Sequence, residues 1–362
     1  MMTGGNPGMN EKFRDLLLVN LLAVGMGMFV SGIVLLFLGE NPMVVYSTMV
    51  GSIVGDRYMV AEIFVKTAPL ILTSLAFGFT FQAKLFNIGA QGQFYIGSLV
   101  AVSMSLFLGE LIPGWLALIL IFFLTFLGGG LWGAFIGYVK ARFQANEFLV
   151  SMMSTYVALN LMNYLLRTFL LESKGEYPQT DPLKPEVWLP SLVPGTRLHI
   201  GFVIAVLIAV AIWVLLYKTA LGYRIRVVGN NADAARMSGI DEKKIITITF
   251  LISGGMAALA GFMEVNGVQH MLVQRFNPNI GAAGIGIAIL ANAHPIGIIF
   301  ASMLFGFLQV GGVMLGQTMG IPSSFVEIMQ GSVMIFVIIS YFVRNWLEKR
   351  RQKHRLKGVA TT

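Results

Sequence analysis

The sequence contains no cysteine and only four histidines in 362 residues. Disulfides and thiolate metal sites are therefore excluded, and His199, His270, His294 and His354 lack the spacing of a metal-ligand set. Charge is scarce as well, at 12% of positions. No Ser/His/Asp set, paired carboxylates or HExxH motif is present, which argues against catalysis within the chain. Nor is there a GxxxxGK[ST] loop to cradle the phosphates of a nucleotide.

Hydrophobic residues make up 56% of the chain. They gather in ten apolar windows, near residues 16–38, 60–81, 89–108, 114–138, 148–170, 198–217, 245–266, 281–292, 295–312 and 322–343. A helix rising ~1.5 Å per residue needs about 20 apolar residues to cross a bilayer. The chain therefore reads as all-α, a polytopic membrane helix bundle of about ten segments. The first window is too long for a signal peptide and lacks a small-residue cleavage site, so it reads as a retained span.

Alternating these segments from an inside N-terminus puts 18 of the 25 Lys and Arg residues in inside loops and five in outside loops. That asymmetry predicts cytoplasmic termini and accounts for the net charge of +8 without a nucleic-acid partner. The predicted organisation is a cytoplasmic tail at 1–15, a transmembrane domain at 16–343 and a basic cytoplasmic tail at 344–362. An external loop at 171–197 and a cytoplasmic loop at 218–244 interrupt the domain.

Segment 281–292 is too short to cross about 30 Å as a helix, so it reads as a half-helix or part of a broken one, leaving nine or ten crossings. Tyr177 to Gly195 carries five prolines and cannot continue a helix; it reads as an external cap. Asn87-Ile88-Gly89-Ala90-Gln91-Gly92 starts the third segment from inside, and Asn279-Ile280-Gly281-Ala282-Ala283-Gly284 starts the eighth from outside. The copies enter the membrane in opposite directions, the signature of an inverted repeat whose half-helices meet near mid-membrane.

Polar residues inside the spans are the candidates for a solute path. Asn87, Gln91 and Gln93 offer amides without the cost of burying charge, which suits a neutral, polar solute, although amides also bridge helices. Gly89, Gly92, Gly281 and Gly284 remove bulk, so backbones can approach. Asn160 and Asn163 share one helix face, which Arg167 continues; Glu264 and Asn266 close the seventh span near its outer side. Tyr95, with Phe94 and Tyr156, supplies aromatic surface. Glu147 suits the dipole at a helix start, and Lys66 reads as snorkelling to the outer interface.

The loop Tyr223 to Lys244 is the one long charged stretch between two apolar spans. Asn231 can cap a helix running through ADAARMS, Gly239 suits the left-handed residue that ends it, and Asp241 can cap the next span. The prediction is a short helix of about two turns across the cytoplasmic face.

Asp233-Ala234-Ala235, three residues, then Gly239 resembles the Glu-Ala-Ala-x-x-x-Gly signature of permease subunits of ATP-binding-cassette importers. It departs from that signature in having Asp for Glu, with Thr249, Leu251 and Ile252 where Ile, Leu and Pro would complete the motif. TAPLILTSLAFGFTFQAKLFNIGAQGQFYIG (Thr67 to Gly97) is similar to the signature of the simple-sugar and nucleoside permease branch, with Gln91 in place of the usual Glu. Asn146 to Val150, GYRIRVVGNNADAARMSGI and GFLQVGG extend the resemblance over most of residues 60–343.

The resemblance implies a permease, not an enzyme, in the bacterial cytoplasmic membrane. It has no cofactor of its own, and ATP and Mg belong to a partner ATPase, in the nucleoside subgroup one chain with two cassettes. The other implied partners are a second, different permease and an extracytoplasmic substrate-binding lipoprotein. Asp233, Ala234, Ala235, Arg236 and Gly239 would then couple the permease to the ATPase. The substrate expected is a nucleoside or a related neutral solute, with a simple sugar or riboflavin as alternatives. A proton- or sodium-coupled transporter would instead need a carboxylate near mid-membrane, whereas Glu62, Glu147, Glu264 and Glu327 fall near the ends of spans.

Overall fold

The computed structural model describes residues 9–274, 276–322 and 324–340. The basic tail predicted at 344–362 lies outside the described residues, as do the first eight residues of the predicted N-terminal tail. Residues 9–15 of that tail are not loop but the first turns of a helix. The chain divides into two compact units, one formed by the two ends of the chain (up to Gly55 and from Leu308) and one by Asp56–Phe307.

In the first unit, α1 (Met9–Phe37) and α2 (Pro42–Val54) are bent by 115° at a short break. The turn is built by Gly39 at φ +82°, then Asn41, whose side chain caps α2, and Pro42, whose missing N–H costs nothing at a first helical position. Tyr46 of α2 donates to the Met28 carbonyl at 2.6 Å. The end of α12 (Pro295–Met319) and α13 (324–340) complete the unit. Gly27 lets α1 lie against the backbone of Val333, and beside it the Ser31 and Ser332 hydroxyls are 2.8 Å apart.

The second unit is organised around α10 (Glu242–Glu264), buried along most of its length beside α3 (Arg57–Gln82), α4 (Ala90–Leu111) and α5 (Gly114–Phe143). Gly129, Gly133 and Gly137, four apart on α5, form a flat stripe against α10 from Ala258 down to Thr247. Small residues permit this approach, since apolar side chains gain little by leaving lipid for protein and packing must come from close contact. Gly97 of α4 approaches the Ala258 backbone in the same way. Around this centre lie α6 (Glu147–Arg167), α7 (Gly201–Lys218), α8 (Ala220–Asn230), α9 (Ala232–Met237), α11 (Ile280–Leu290) and the start of α12.

Among the described residues, seven helices are long and apolar enough to cross a membrane, or eight if the bent pair α1–α2 counts as one. The expected ten is thus reduced, because α11 and α13 are shorter apolar helices. The helix at 42–54 is a feature that the sequence reading left in an outer loop: its Gly-Glu-Asn-Pro break makes it look like a connector.

Candidate functional site

The Gly-rich start of α4 is a packed joint. Asn87 donates to Gln93 Oε1 at 2.8 Å and to Ser253 Oγ of α10 at 2.7 Å, and Gln93 returns a longer bond to Asn87 Oδ1. Ser253 in turn donates to the Ala76 carbonyl of α3. All three side chains are buried, so the network ties α3, α4 and α10 together with both Asn87 donors engaged. Gly89 and Gly92 lie against Ser151 and Thr155 of α6.

Gln91 faces the other way. Its Oε1 accepts the N–H of Gly281 at 2.7 Å and its Nε2 donates to the Asn277 carbonyl at 3.0 Å, while a Cβ on Gly281 would press into Gln91. Gly284 lies against Thr73 of α3. Tyr95 is buried with Phe94 and Phe276, the Phe94 and Phe276 centroids 5.0 Å apart.

At the C-terminal end of α10 the helix opens into a wider turn, Val265–Gln269, with bonds to the fifth residue. Glu264 is buried just before it, bonded to the Asn277 side chain and in the field of Lys66, with the ion pair Arg197–Glu62 nearby at 2.5 Å. Asn266 donates to Ser105 of α4 at 2.7 Å and to the Val187 carbonyl at 2.9 Å. These are joints between helices and cap.

The Pro-rich loop does form a cap, laced to the chain that follows α10. Thr180 N–H donates to the Leu272 carbonyl, Leu183 N–H to His270 and Leu189 N–H to Asn266, at 2.8–3.0 Å. Trp188 stacks on His270 with centroids 3.9 Å apart. His199 is buried beside Gly267 and accepts from Gly201 N–H; burial first, then the nearby His270, pushes its pKa down to about 4. Burial also lowers that of His270. Glu172 and Asp181 are held below the usual carboxylate range by bonds from Gln179 and Ser173 respectively.

Of the residues read as a solute path, Asn87, Gln93, Tyr95, Glu264 and Asn266 therefore face neighbouring helices rather than an open channel in this conformation. Asn87 and Gln93 satisfy one another where α4 meets α10, whereas Asn266 Oδ1 and Glu264 Oε2 are buried without a hydrogen-bond partner among the described residues. Asn160 and Asn163 differ: α6 leaves Asn160 exposed and Asn163 half-buried, on a face shared with exposed Tyr156, Tyr164 and Arg167. A polar stripe on a membrane helix is costly against lipid, so this face suits an aqueous path or a partner.

In the charged loop, Asn231 Oδ1 accepts from Ala234 N–H at 3.0 Å to start α9, and Asp241 accepts from Lys244 N–H at 3.1 Å to start α10. Gly239 sits at φ +77° between them. Ala235 is buried, whereas Asp233, Ala234, Arg236 and Met237 are exposed; Arg236 pairs with Glu242 at 2.8 Å. The sequence reading missed α8, capped by Thr219 and held against Gln82 and Ala83 by the close approach of Gly229. Its signal was present in Gly222, Ile225 and Val228, which line one buried face.

The family model for the branched-chain amino acid transport system / permease component matches residues 59–338. The chain belongs to this permease family. It is a transport subunit of an ATP-binding-cassette transporter and a multi-pass membrane protein, and in such systems ATP is hydrolysed on a separate subunit. The permease is 33% identical to the guanosine transporter permease NupP of Bacillus subtilis, over 93% of this chain and 97% of NupP. It is equally 33% identical to the glucose transporter permease TsgB13 of Haloferax volcanii, over 90% of this chain and 88% of the relative. Identity is 29% to the nucleoside transporter permease NupB of Lactococcus lactis, over 95% and 96%. Among solved structures, PsaBC from Streptococcus pneumoniae in complex with Fab shares the fold, with a TM-score of 0.50 at 15% identity, over 82% of this permease and 96% of that chain.

Proposed function

We propose that this permease forms, with a second and different permease chain, the path by which nucleosides cross the bacterial cytoplasmic membrane inward. The observation that carries the substrate class is the likeness, over nearly the full length of both chains, to permeases named for guanosine and for nucleosides. The exposed Asn160, with Asn163 and Tyr156 on the same face of α6, offers amide and aromatic contacts that suit a base and a ribose. The partner ATPase, two cassettes in one chain, carries ATP and Mg, and a lipoprotein delivers solute to the external side. Both termini face the cytoplasm, as the excess of Lys and Arg in the loops on that side supports.

Coupling runs through α9: Asp233, Ala234, Ala235 and Arg236, closed by Gly239, dock in the ATPase, and motion passes through the Arg236–Glu242 pair into α10. The two Asn-Ile-Gly-Ala copies, in contact through Gln91 and Gly281, act as the meeting ends of an inverted repeat. The test is ATPase activity of the reconstituted complex with its binding protein loaded in turn with guanosine, glucose and riboflavin. Stimulation by guanosine is expected. Stimulation by glucose alone, the substrate named for an equally similar relative, refutes the nucleoside assignment.

A further inference from the structure

The Gly129/Gly133/Gly137 stripe ends at buried Ala141, and there α5 and α10 part. They leave a pocket of about 290 Å³ lined by Tyr138, Ala141 and Arg142 of α5 and Lys243, Lys244 and Ile248 of α10. Three cations crowd this small space. Neighbouring cations have carboxylate partners: Lys140 pairs with Glu147 at 2.8 Å and Arg236 with Glu242 at 2.8 Å. Arg142, Lys243 and Lys244 are exposed and have none among the described residues; Glu242, next to Lys243 in sequence, is paired with Arg236, and Asp241 spends one oxygen capping the Lys244 N–H. The pocket thus holds positive charge that the chain does not neutralise, beside the apolar surface of Ala141 and Ile248.

What lies next to it decides the ligand. Phe123, Leu127, Leu131, Phe135 and Tyr138 are each more than half exposed, and their three- and four-residue spacing forms one apolar ridge along α5 that runs into the pocket. At its end Tyr138 packs edge-to-face with exposed Phe143, centroids 6.3 Å apart, in the manner of aromatic residues at a membrane–water boundary. An apolar ridge in the span, an aromatic boundary and then three unneutralised cations match an acyl chain, a glycerol backbone and a phosphate in that order. We propose that this groove binds an anionic phospholipid of the leaflet bordering the C-terminal end of α5. Its phosphate meets Arg142, Lys243 and Lys244, and its acyl chain lies along the ridge from Tyr138 to Leu127. The site sits at the start of α10, next to the charged loop, where the lipid fixes the position of the first turn of that helix.

The test is native mass spectrometry of the full transporter complex released from nanodiscs holding phosphatidylglycerol and phosphatidylethanolamine. Wild type retains phosphatidylglycerol, and the triple variant R142Q/K243Q/K244Q retains it about tenfold less or weaker still. The charge-conserving R142K/K243R/K244R and the remote R57Q/K174Q/K184Q, which removes as much charge from the opposite end, both retain it like wild type. Equal retention by wild type and R142Q/K243Q/K244Q overturns the proposal, as does equal loss in either control. Displacement of the lipid by millimolar inorganic phosphate assigns the cations to a free anion and also refutes it. So does loss of the ATPase subunit from the triple variant with lipid retention unchanged, which assigns the patch to a protein partner.

Discussion

Gln91 of α4 grips the N-terminus of α11 at two points, accepting from the Gly281 N–H at 2.7 Å and donating to the Asn277 carbonyl at 3.0 Å. A helix N-terminus has unpaired N–H groups, and here a side-chain amide from the other copy of the motif satisfies one of them. Replacement by leucine leaves the buried Gly281 N–H without its Gln91 partner and the Asn277 carbonyl with only a long bond from Ile280 N–H, a loss of about 1–3 kcal/mol. Gln91→Leu should lower the thermal midpoint of the purified complex and reduce uptake. Gln91→Glu keeps the acceptor for Gly281 but loses the donor to Asn277, and should fall between the two. A Gln91→Leu protein as stable and active as wild type refutes the bridge.

Gly239 can hold φ +77° at no steric penalty, whereas a β-branched side chain there costs about 1–2 kcal/mol and distorts the end of α9. Ala235 is fully buried, so a carboxylate at that position has no room and no partner. Gly239→Val and Ala235→Asp should leave the protein in the membrane while transport falls and ATPase activity no longer responds to loaded binding protein. Normal coupling in both variants would remove α9 from the transmission path.

The Pro-rich cap should weaken in acid. His199 has a folded pKa of about 4 against about 6.5 unfolded, so the folded state binds fewer protons between those values. Stability is therefore constant above pH 6.5 and falls as pH drops from 6.5 towards 4, by roughly 3 kcal/mol in all. Hydrogen exchange of residues 180–200 should rise over that window. His199→Gln, which cannot take up a proton, should flatten the response; an unchanged profile would mean that another group opens the cap.

Gly133→Val drives a branched side chain into the Phe250 carbonyl of α10, a clash in which backbone must move. A loss of about 3 kcal/mol is expected, seen as a lower melting temperature and poor recovery from the membrane. Gly25→Ala is the control: nothing lies within 4 Å of an added methyl there, and stability should stay within about 0.5 kcal/mol.

The capping chemistry of the charged loop was legible residue by residue. Asn231, Gly239 and Asp241 stand in the structure where their side-chain oxygens and left-handed preference predicted. The spans α3 to α7 and α10 were equally readable, since a bilayer demands long apolar runs. What could not be read was the partner of each polar side chain. Asn87, Gln93 and Asn266 look the same in sequence whether they face a solute or another helix. Lys66, expected to snorkel outward, lies in the field of Glu264 from a different helix.

The sequence by itself determined that this protein is helical and membrane-spanning, because hydropathy is a property of composition and local order, and its local motifs carried the resemblance to permeases that work with a separate ATPase. Only the tertiary structure decided that Gln91 meets Gly281, that Ser253 completes the Asn87–Gln93 network, and that three cations gather where α5 and α10 part. These pairings join residues as much as 190 positions apart. They depend on how closely the glycine stripes let helices approach, and that distance is set by packing rather than by any local run of residues.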